Sequence, residues 1–588
     1  IGDGALFDLD DGGSAGASDF NVAVGHEAGT NATTAKSCVF IGHNAAHGND
    51  STALTGDYNV AVGAESLESL TTGAYNVSLG YKAGEALTIS SSNTFVGAES
   101  GTDITQGENN VAMGRRALFT ATTSGDNVCI GAYSGQTIAA GQTTTNGTVA
   151  IGRDALKALT SGARNTAVGY QSADSVDDGT DNTVLGYQAL ASAAGNETAN
   201  TAVGTYAMAS ISHDDSDANT AIGYQALKGS SISINSNVAV GYNSMSNTGG
   251  LNADNCVAIG RDTIVGVATS DASGTVAIGR DALKDLTSGS GNTMVGYQSG
   301  RLMTTGGSNT VIGYQALAIN LTGTYNVVIG KEAMIAADGA ENNNIAIGAG
   351  SMGGVNLDTT EKNVAIGRNA GLGGTGELDQ CIAIGHLAMD GTGSIGGANN
   401  IFMGSNAGGG TWATAASNNN IGIGSSVMAG AMNESTNNVG IGFSALNDLT
   451  TGDENIGIGS YTGDEITTGS QNICIGYAAG HKLVGANYNV LLGYLAGDTL
   501  TSGEENTILG HACDVASDDN NNNVIIGNNL TATDKNNAVF IGNNTNHIEN
   551  DFNADATWNY SSDERQKKDI EDDTLGLEFI NDLRPVTY

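Results

Sequence analysis

The feature that most constrains this chain is a pentapeptide that keeps returning. "NVAVG" stands at 21–25 and 59–63, "NVSLG" at 76–80, "NTFVG" at 93–97, "NTAVG" at 165–169, "NTVIG" at 309–313, "NIGIG" at 455–459 and "NVLLG" at 489–493. Thirty copies follow one another, their glycines running from Gly25 to Gly542. The commonest step between them is that from Gly63 to Gly80 and from Gly80 to Gly97; many others are longer, up to that from Gly42 to Gly63, and the last, from Gly527 to Gly542, is shorter. Self-similarity at a near-fixed period marks a repeat architecture, in which each unit is too small to bury its apolar side alone and is stabilised by stacking on its neighbours.

Each column of the repeat has a physical reading, counting the glycine as position 0. Position −1 is Val, Ile, Leu or Met in all thirty copies, and −3 is Val, Thr or Ile. Residues two apart point to the same side of a strand, so −1 and −3 are expected to form the buried face. Position −2 is mostly Ala or Gly, with some Val, Phe and Cys. That side is expected to make a second, tight contact of the kind several rods sharing an axis would make. Gly at 0 implies a turn with positive φ, or a backbone packed too closely for a side chain. Position +3 is nearly always Ala, Ser or Thr, as in "GYQAL" at 186–190, 223–227 and 313–317, and "TTG" or "TSG" often follows as a turn signal.

Position −4 is Asn in 24 of the thirty copies, among them Asn59, Asn76, Asn165, Asn219, Asn309 and Asn455. Identical amides on stacked rungs can hydrogen-bond to one another as a ladder and tie down the turn backbone. A row of polar groups that binds a ligand is the alternative. The spacing follows the fold and not a local cluster, which favours the ladder.

These columns predict an all-β fold: an elongated β-solenoid or β-roll of about 30 rungs with a 17-residue period. At roughly 4.8 Å per rung it would make a rod of about 140 Å. Composition agrees. Of 588 residues 87 are Gly, one is Pro and only 5% are aromatic, while 39% are apolar, which suits a thin repeated core better than a few round ones. A formal net charge of −40 argues against binding nucleic acid or an anionic membrane surface, because phosphate affinity needs Lys and Arg. The same charge keeps a long β structure soluble. No run of apolar residues is long enough to span a bilayer, so no membrane insertion is expected. The chain opens at Ile1 without Met or a signal-peptide pattern, so an N-terminal part is expected to precede it.

Motifs for chemistry are sparse. No Gly-x-Ser-x-Gly elbow, HExxH or P-loop is present, and "GIGIGS" and "GRDAL" are variants of the repeat. The six cysteines fall in repeat columns with no metal spacing: Cys38, Cys256 and Cys381 at −4, Cys129 and Cys474 at −2, and Cys513 at +3. They read as free, partly buried thiols. In an oligomer, copies of one cysteine could instead meet at the axis. His43 and His47 stand four apart, a weak pattern for a metal, and acid-rich stretches at 212–217 and 516–523 read as solvated loops before they read as Ca²⁺ sites. No cofactor and no metal are expected.

"NTAIGYQAL" at 219–227 carries a resemblance. The block from about 21 to 546 resembles the head repeats of trimeric surface adhesins and, more closely, the repeats common in phage tail fibres. The end of the chain adds a second one. "SSDERQKKDIEDDTLGLEFINDLRPVTY" (561–588) holds the only proline and four of the 21 Lys and Arg. Its Ser562, Asp563, Lys567, Ile570, Leu577, Ile580, Leu583, Arg584, Pro585 and Val586 look like the start of the intramolecular chaperone of endosialidase-type phage tailspikes and fibres, a family also classed as a self-cleaving peptidase. That resemblance implies a homotrimer, registered and folded with help from the C-terminal domain, which then cuts itself off between Ser561 and Ser562. Ser562 would be the nucleophile and Lys567 its base. A Ser–Lys pair needs a neutral amine, so Lys567 would need its pKa lowered by burial or by its neighbours.

The expected organisation is a lead-in at 1–20, the repeat shaft at 21–546, a connector at 547–561 and an incomplete chaperone domain at 562–588. The expected function is a structural, homotrimeric viral tail fibre for host attachment, on the virion tail. Its partners would be other virion tail proteins and a host receptor, either a glycan or an outer-surface protein, with no enzymatic site in the shaft. A trimeric adhesin on a bacterial surface is the alternative. A glycan-degrading tailspike is disfavoured by only two tryptophans, Trp412 and Trp558.

Overall fold

A computed structural model describes residues 2–560 except 7–19, 49–51, 139–145, 193–194, 212, 214–215, 230–232, 247–252, 267–270, 357–359, 375, 413 and 554–558. It forms two units. One comprises residues 1–369 and 377–379, the other 370–376 and 380–588. In both, every motif copy is a short strand, as predicted, and the fold is an all-β parallel solenoid with one turn per repeat.

The first unit carries twenty such strands, from Val22–Val24 to Val364–Ile366. Their register is strict: Val60, Ala61 and Val62 lie against Val77, Ser78 and Leu79, and those against Thr94, Phe95 and Val96. The second unit carries ten, from Ile382–Ile384 to Ala538–Gly542, again parallel and column on column. There the series ends in a different structure. His547–Asp551 turns back antiparallel on Ala538–Gly542, and Asn559–Tyr560 pairs antiparallel with it in turn. This meander covers the last strand edge, which would otherwise offer unpaired backbone groups to another chain. It falls within the segment read from sequence as a plain connector.

The glycine column meets both of its readings at once. Gly63, Gly80 and Gly97 have φ of 137°, 143° and 133°. A Cβ on Gly63 would also lie 2.3 Å from the carbonyl oxygen of Gly80, one rung on. The stretch between one strand and the next is neither a helix nor irregular. It alternates between right- and left-handed residues, with positive φ at +2 and +4 of most turns, on glycines such as Gly84 (63°) but also on residues with side chains such as Gln225 (53°) and Leu227 (52°). Single αL residues each cost roughly 1–2 kcal/mol in isolation. Here bonds between rungs hold them, for example Gln225 N to Thr205 O at 3.0 Å and Leu227 N to Ser244 O at 2.8 Å.

The core corrects one expectation. The −2 column lies inside and the −1 and −3 columns lie outside. Ala61 is fully buried between the partly exposed Val60 and Val62, and nearly every strand repeats that pattern. The interior is filled by −2 together with +3, +4 and +7, as with Ala61, Ser66, Leu67 and Leu70 in one turn. The coil is narrow, so most turns admit only a small residue at −2 opposite those leucines. Beside the rings of Phe40 and Phe95 at −2, the neighbouring positions are glycine. A Cβ on Gly84 or Gly101 would come within 2.8 or 2.5 Å of the Phe95 ring, and one on Gly29 within 2.6 Å of Phe40. In these turns the interior conserves volume by trading −2 against +4.

Candidate functional site: the strand face and its corner column

Three longitudinal features could do something: the buried amides, the outer face of the strands, and the corner where each strand turns.

The amides form the ladder. Asn59, Asn76, Asn219 and Asn455 are wholly buried, and Asn165 and Asn309 nearly so. Asn76 shows the unit. Its N–H and its Nδ2 both donate to Asn59 Oδ1 (2.9 and 3.1 Å), and Nδ2 also donates to Ser90 O at 2.9 Å. The same set recurs at Asn309 on Asn292 and at Asn455 on Asn438. Asn219 and Asn165 belong to the series through Asn200 and Asn182. Cysteine can stand in for the amide. Cys38 Sγ donates to Gly56 O at 3.5 Å and accepts from Asn59 N at 3.4 Å. Threonine does so less well, since the buried hydroxyls of Thr148 and Thr275 have no partner.

The outer face is the −1 and −3 columns. It offers sixty side chains over the two units, all of them Val, Ile, Leu, Met or Thr, with no charge anywhere. Leu79 is 48% exposed, Leu185 50% and Ile458 37%. Within each unit this is a row of partly exposed apolar side chains, the kind of surface from which contact faces are built.

At position +1 the chain turns the corner. This column holds ten Tyr or Phe, four His and six Arg or Lys in thirty places, and no Asp or Glu, in a chain with 61 acids. That exclusion of acids is the only mark the column carries in the sequence, and no motif points to it. The rings pile up from rung to rung. Tyr170 stacks on Tyr187 with centroids 5.3 Å apart, and Tyr224 on Tyr242 at 5.1 Å. The guanidinium of Arg153 lies over Tyr170 and that of Arg261 over Tyr242, at 6.0 and 5.5 Å.

In the second unit the pile runs Phe443, Tyr461, Tyr477, Tyr494, His511 and is interrupted once. Tyr477, Tyr494 and His511 stack flat at 5.4 and 5.0 Å. Ser460 occupies the +1 place of the preceding rung, and Tyr461, one residue later, meets Tyr477 edge-on at 6.0 Å and 78°. Beside this break lies a groove of about 370 Å³ lined by Tyr461, Tyr477, Ala478, His481, Lys482, Leu495 and Asp498.

Other sequence candidates fare as follows. Ser561, Ser562 and Lys567 lie outside the described residues. His43 stacks on His26 at 5.4 Å, and His47 turns its Nδ1 to Gly48 O at 2.9 Å, so the two are not brought together on a metal. Among the described residues the one acidic cluster of metal-binding geometry is Glu65, Glu68 and Glu85. It already holds Lys82, whose Nζ is 3.1 Å from Glu65 and 2.8 Å from Glu85. All six cysteines are buried. Burial pushes the thiols of Cys129 and Cys474 up to about 12. No helix among the described residues is long and apolar enough to cross a membrane. No protein-family model matches this chain, and a search of curated proteins gives no match.

Proposed function

We propose that this chain is the shaft of a homotrimeric viral tail fibre that carries a host-attachment function to the cell surface. We further propose that it is matured by one self-cleavage between Ser561 and Ser562, with Ser562 as nucleophile and Lys567 as base. The supporting observation is the uncovered strand face. A stable interface uses about 20–30 residues a side. The first unit alone presents forty uncharged outward positions and the second twenty, at one fixed rise per rung. A second copy of the chain matches that rise over the same length. The number three rests on the resemblance of 561–588 to the chaperone of trimeric fibres. Thirty near-identical strands can pair out of register, and a registering domain removes that hazard.

Light scattering on the purified full gene product tests the assembly. A mass three times that of one chain is expected, this segment contributing 59.0 kDa per chain, and the mass of a single chain refutes it. Ser562→Ala tests the maturation. The variant keeps its C-terminal segment attached, whereas the parent loses it.

A further inference from the structure

We propose that the groove at Tyr461 and Tyr477 is a binding site for a neutral pyranose oligosaccharide. The inference deepens the attachment reading and rests on it for its biological sense.

Stacked aromatics alone do not make a site, because stacked rings also stabilise neighbouring rungs. The break in the pile is the informative feature. Tyr477 is 48% exposed, and only one of its faces is covered flat, by Tyr494. Toward the Ser460 rung it meets only the edge of Tyr461. At a comparable break in the first unit, where Thr205 holds the +1 place and Tyr206 meets Tyr224 edge-on, Lys228 Nζ lies 5.2 Å from the Tyr206 ring. At Tyr477 the space remains a groove, and its volume falls at the lower end of the range for small-ligand sites.

Its lining matches a sugar ring. The apolar C–H face of a pyranose packs on an aromatic face, and Ala478 and Leu495 continue that apolar floor. Hydroxyls at the ring edge both donate and accept. Asp498 is an acceptor, Lys482 a donor, and His481 offers either role. The mixed rim favours a neutral polyol over an anion, which Asp498 and the neighbouring Asp464 and Glu465 would repel. Those two carboxylates stand 3.8 and 3.9 Å from His481. The groove is built from the corner and the turn beyond it, so covering the strand face leaves this lining free of the face's own residues.

The test is saturation-transfer NMR on the full chain with maltohexaose, cellohexaose and N-acetylchitohexaose as probes. Transfer to at least one probe is expected, with at least a tenfold loss of affinity in Tyr477→Ala, a smaller loss in Lys482→Ala, and none in Tyr81→Ala, an exposed corner tyrosine of the first unit. No transfer to any of the three, or equal binding by Tyr477→Ala, overturns the proposal. Light scattering on each variant separates the outcomes. A single-chain protein that still binds refutes the trimer and leaves the groove, and a trimer that binds nothing does the reverse.

Discussion

The amide ladder gives the sharpest quantitative test, at Asn472. Its N–H and Nδ2 both donate to Asn455 Oδ1 at 3.0 Å, and Nδ2 also donates to Ala486 O at 2.7 Å. Its Oδ1 accepts from Asn489 N and Asn489 Nδ2, both at 3.0 Å. Asn472→Ala therefore strands the Asn489 N–H and the Ala486 carbonyl in a dry interior. The Asn489 side chain is not stranded, since its Nδ2 keeps Gly503 O at 2.9 Å. Two orphaned backbone groups at about 1–3 kcal/mol each give roughly 4 kcal/mol. A stack of repeats does not melt as one two-state unit, so the loss is best read locally. Hydrogen exchange of the peptide containing the Asn489 amide should quicken by about a thousandfold, the equivalent of that energy. Asn472→Thr, which copies the natural substitution at Thr148, should fall between parent and Ala. A change of less than tenfold in Asn472→Ala would mean that the ladder is incidental to the turn.

Four further outcomes follow from the same geometry. Ile458→Asp places a charge on the strand face and should shift the light-scattering mass toward that of one chain. Phe95→Ala should cost about 3–5 kcal/mol through the cavity it leaves, and Gly101→Ala should also destabilise, because its Cβ would lie 2.5 Å from the ring. The double variant should lose less than the two together, as a shared volume requires. Cys129 and Cys474, their thiols raised to about 12 by burial, should resist alkylation at pH 8 until denaturant is added, while rapid labelling of the native chain would place them outside the coil. Burial raises the Asp514 carboxyl to about 6, so the folded state holds its proton more tightly than the unfolded chain does. That turn should lose stability as pH rises from about 4 to about 6, seen as intrinsically corrected exchange of the Val515 amide, and Asp514→Asn should remove the slope.

Much of this fold can be read from the chain because a repeat states each rule thirty times. The glycine at 0 and the asparagine at −4 each have one function per rung, and both are chemically specific. No other residue has glycine's freedom at the φ of 137° that Gly63 adopts, and few side chains both accept twice and donate twice. The turn is less legible. Leu227 and Gln225 carry no mark of a left-handed backbone, since the bonds that hold them there come from neighbouring rungs, at Ser244 and Thr205. The groove is hidden for a similar reason. Tyr461 sits one place off its column, and only the register of the rungs shows that this shift opens a space beside Tyr477.

The inverted core shows where sequence periodicity stops informing. Alternation tells which residues share a side of a strand, not which side is inside. Hydrophobicity points to Val and Ile, and the inside goes to Ala. The deciding quantity is width. A coil with a single short strand per turn has to hold −2 and the +4 and +7 side chains of the opposite wall in one narrow layer, and Leu67 and Leu70 already occupy most of it beside Ala61. The pairing of Phe95 with Gly84 and Gly101 states the same limit in sequence, because this phenylalanine enters where two glycines make room. The larger β-branched residues are then left to face outward. An outward apolar face repeated on every rung is costly for a single coil in water, whereas for coils that share it the same residues are a second core. The placement that defeats the expectation for one chain is the placement an assembly of identical chains requires.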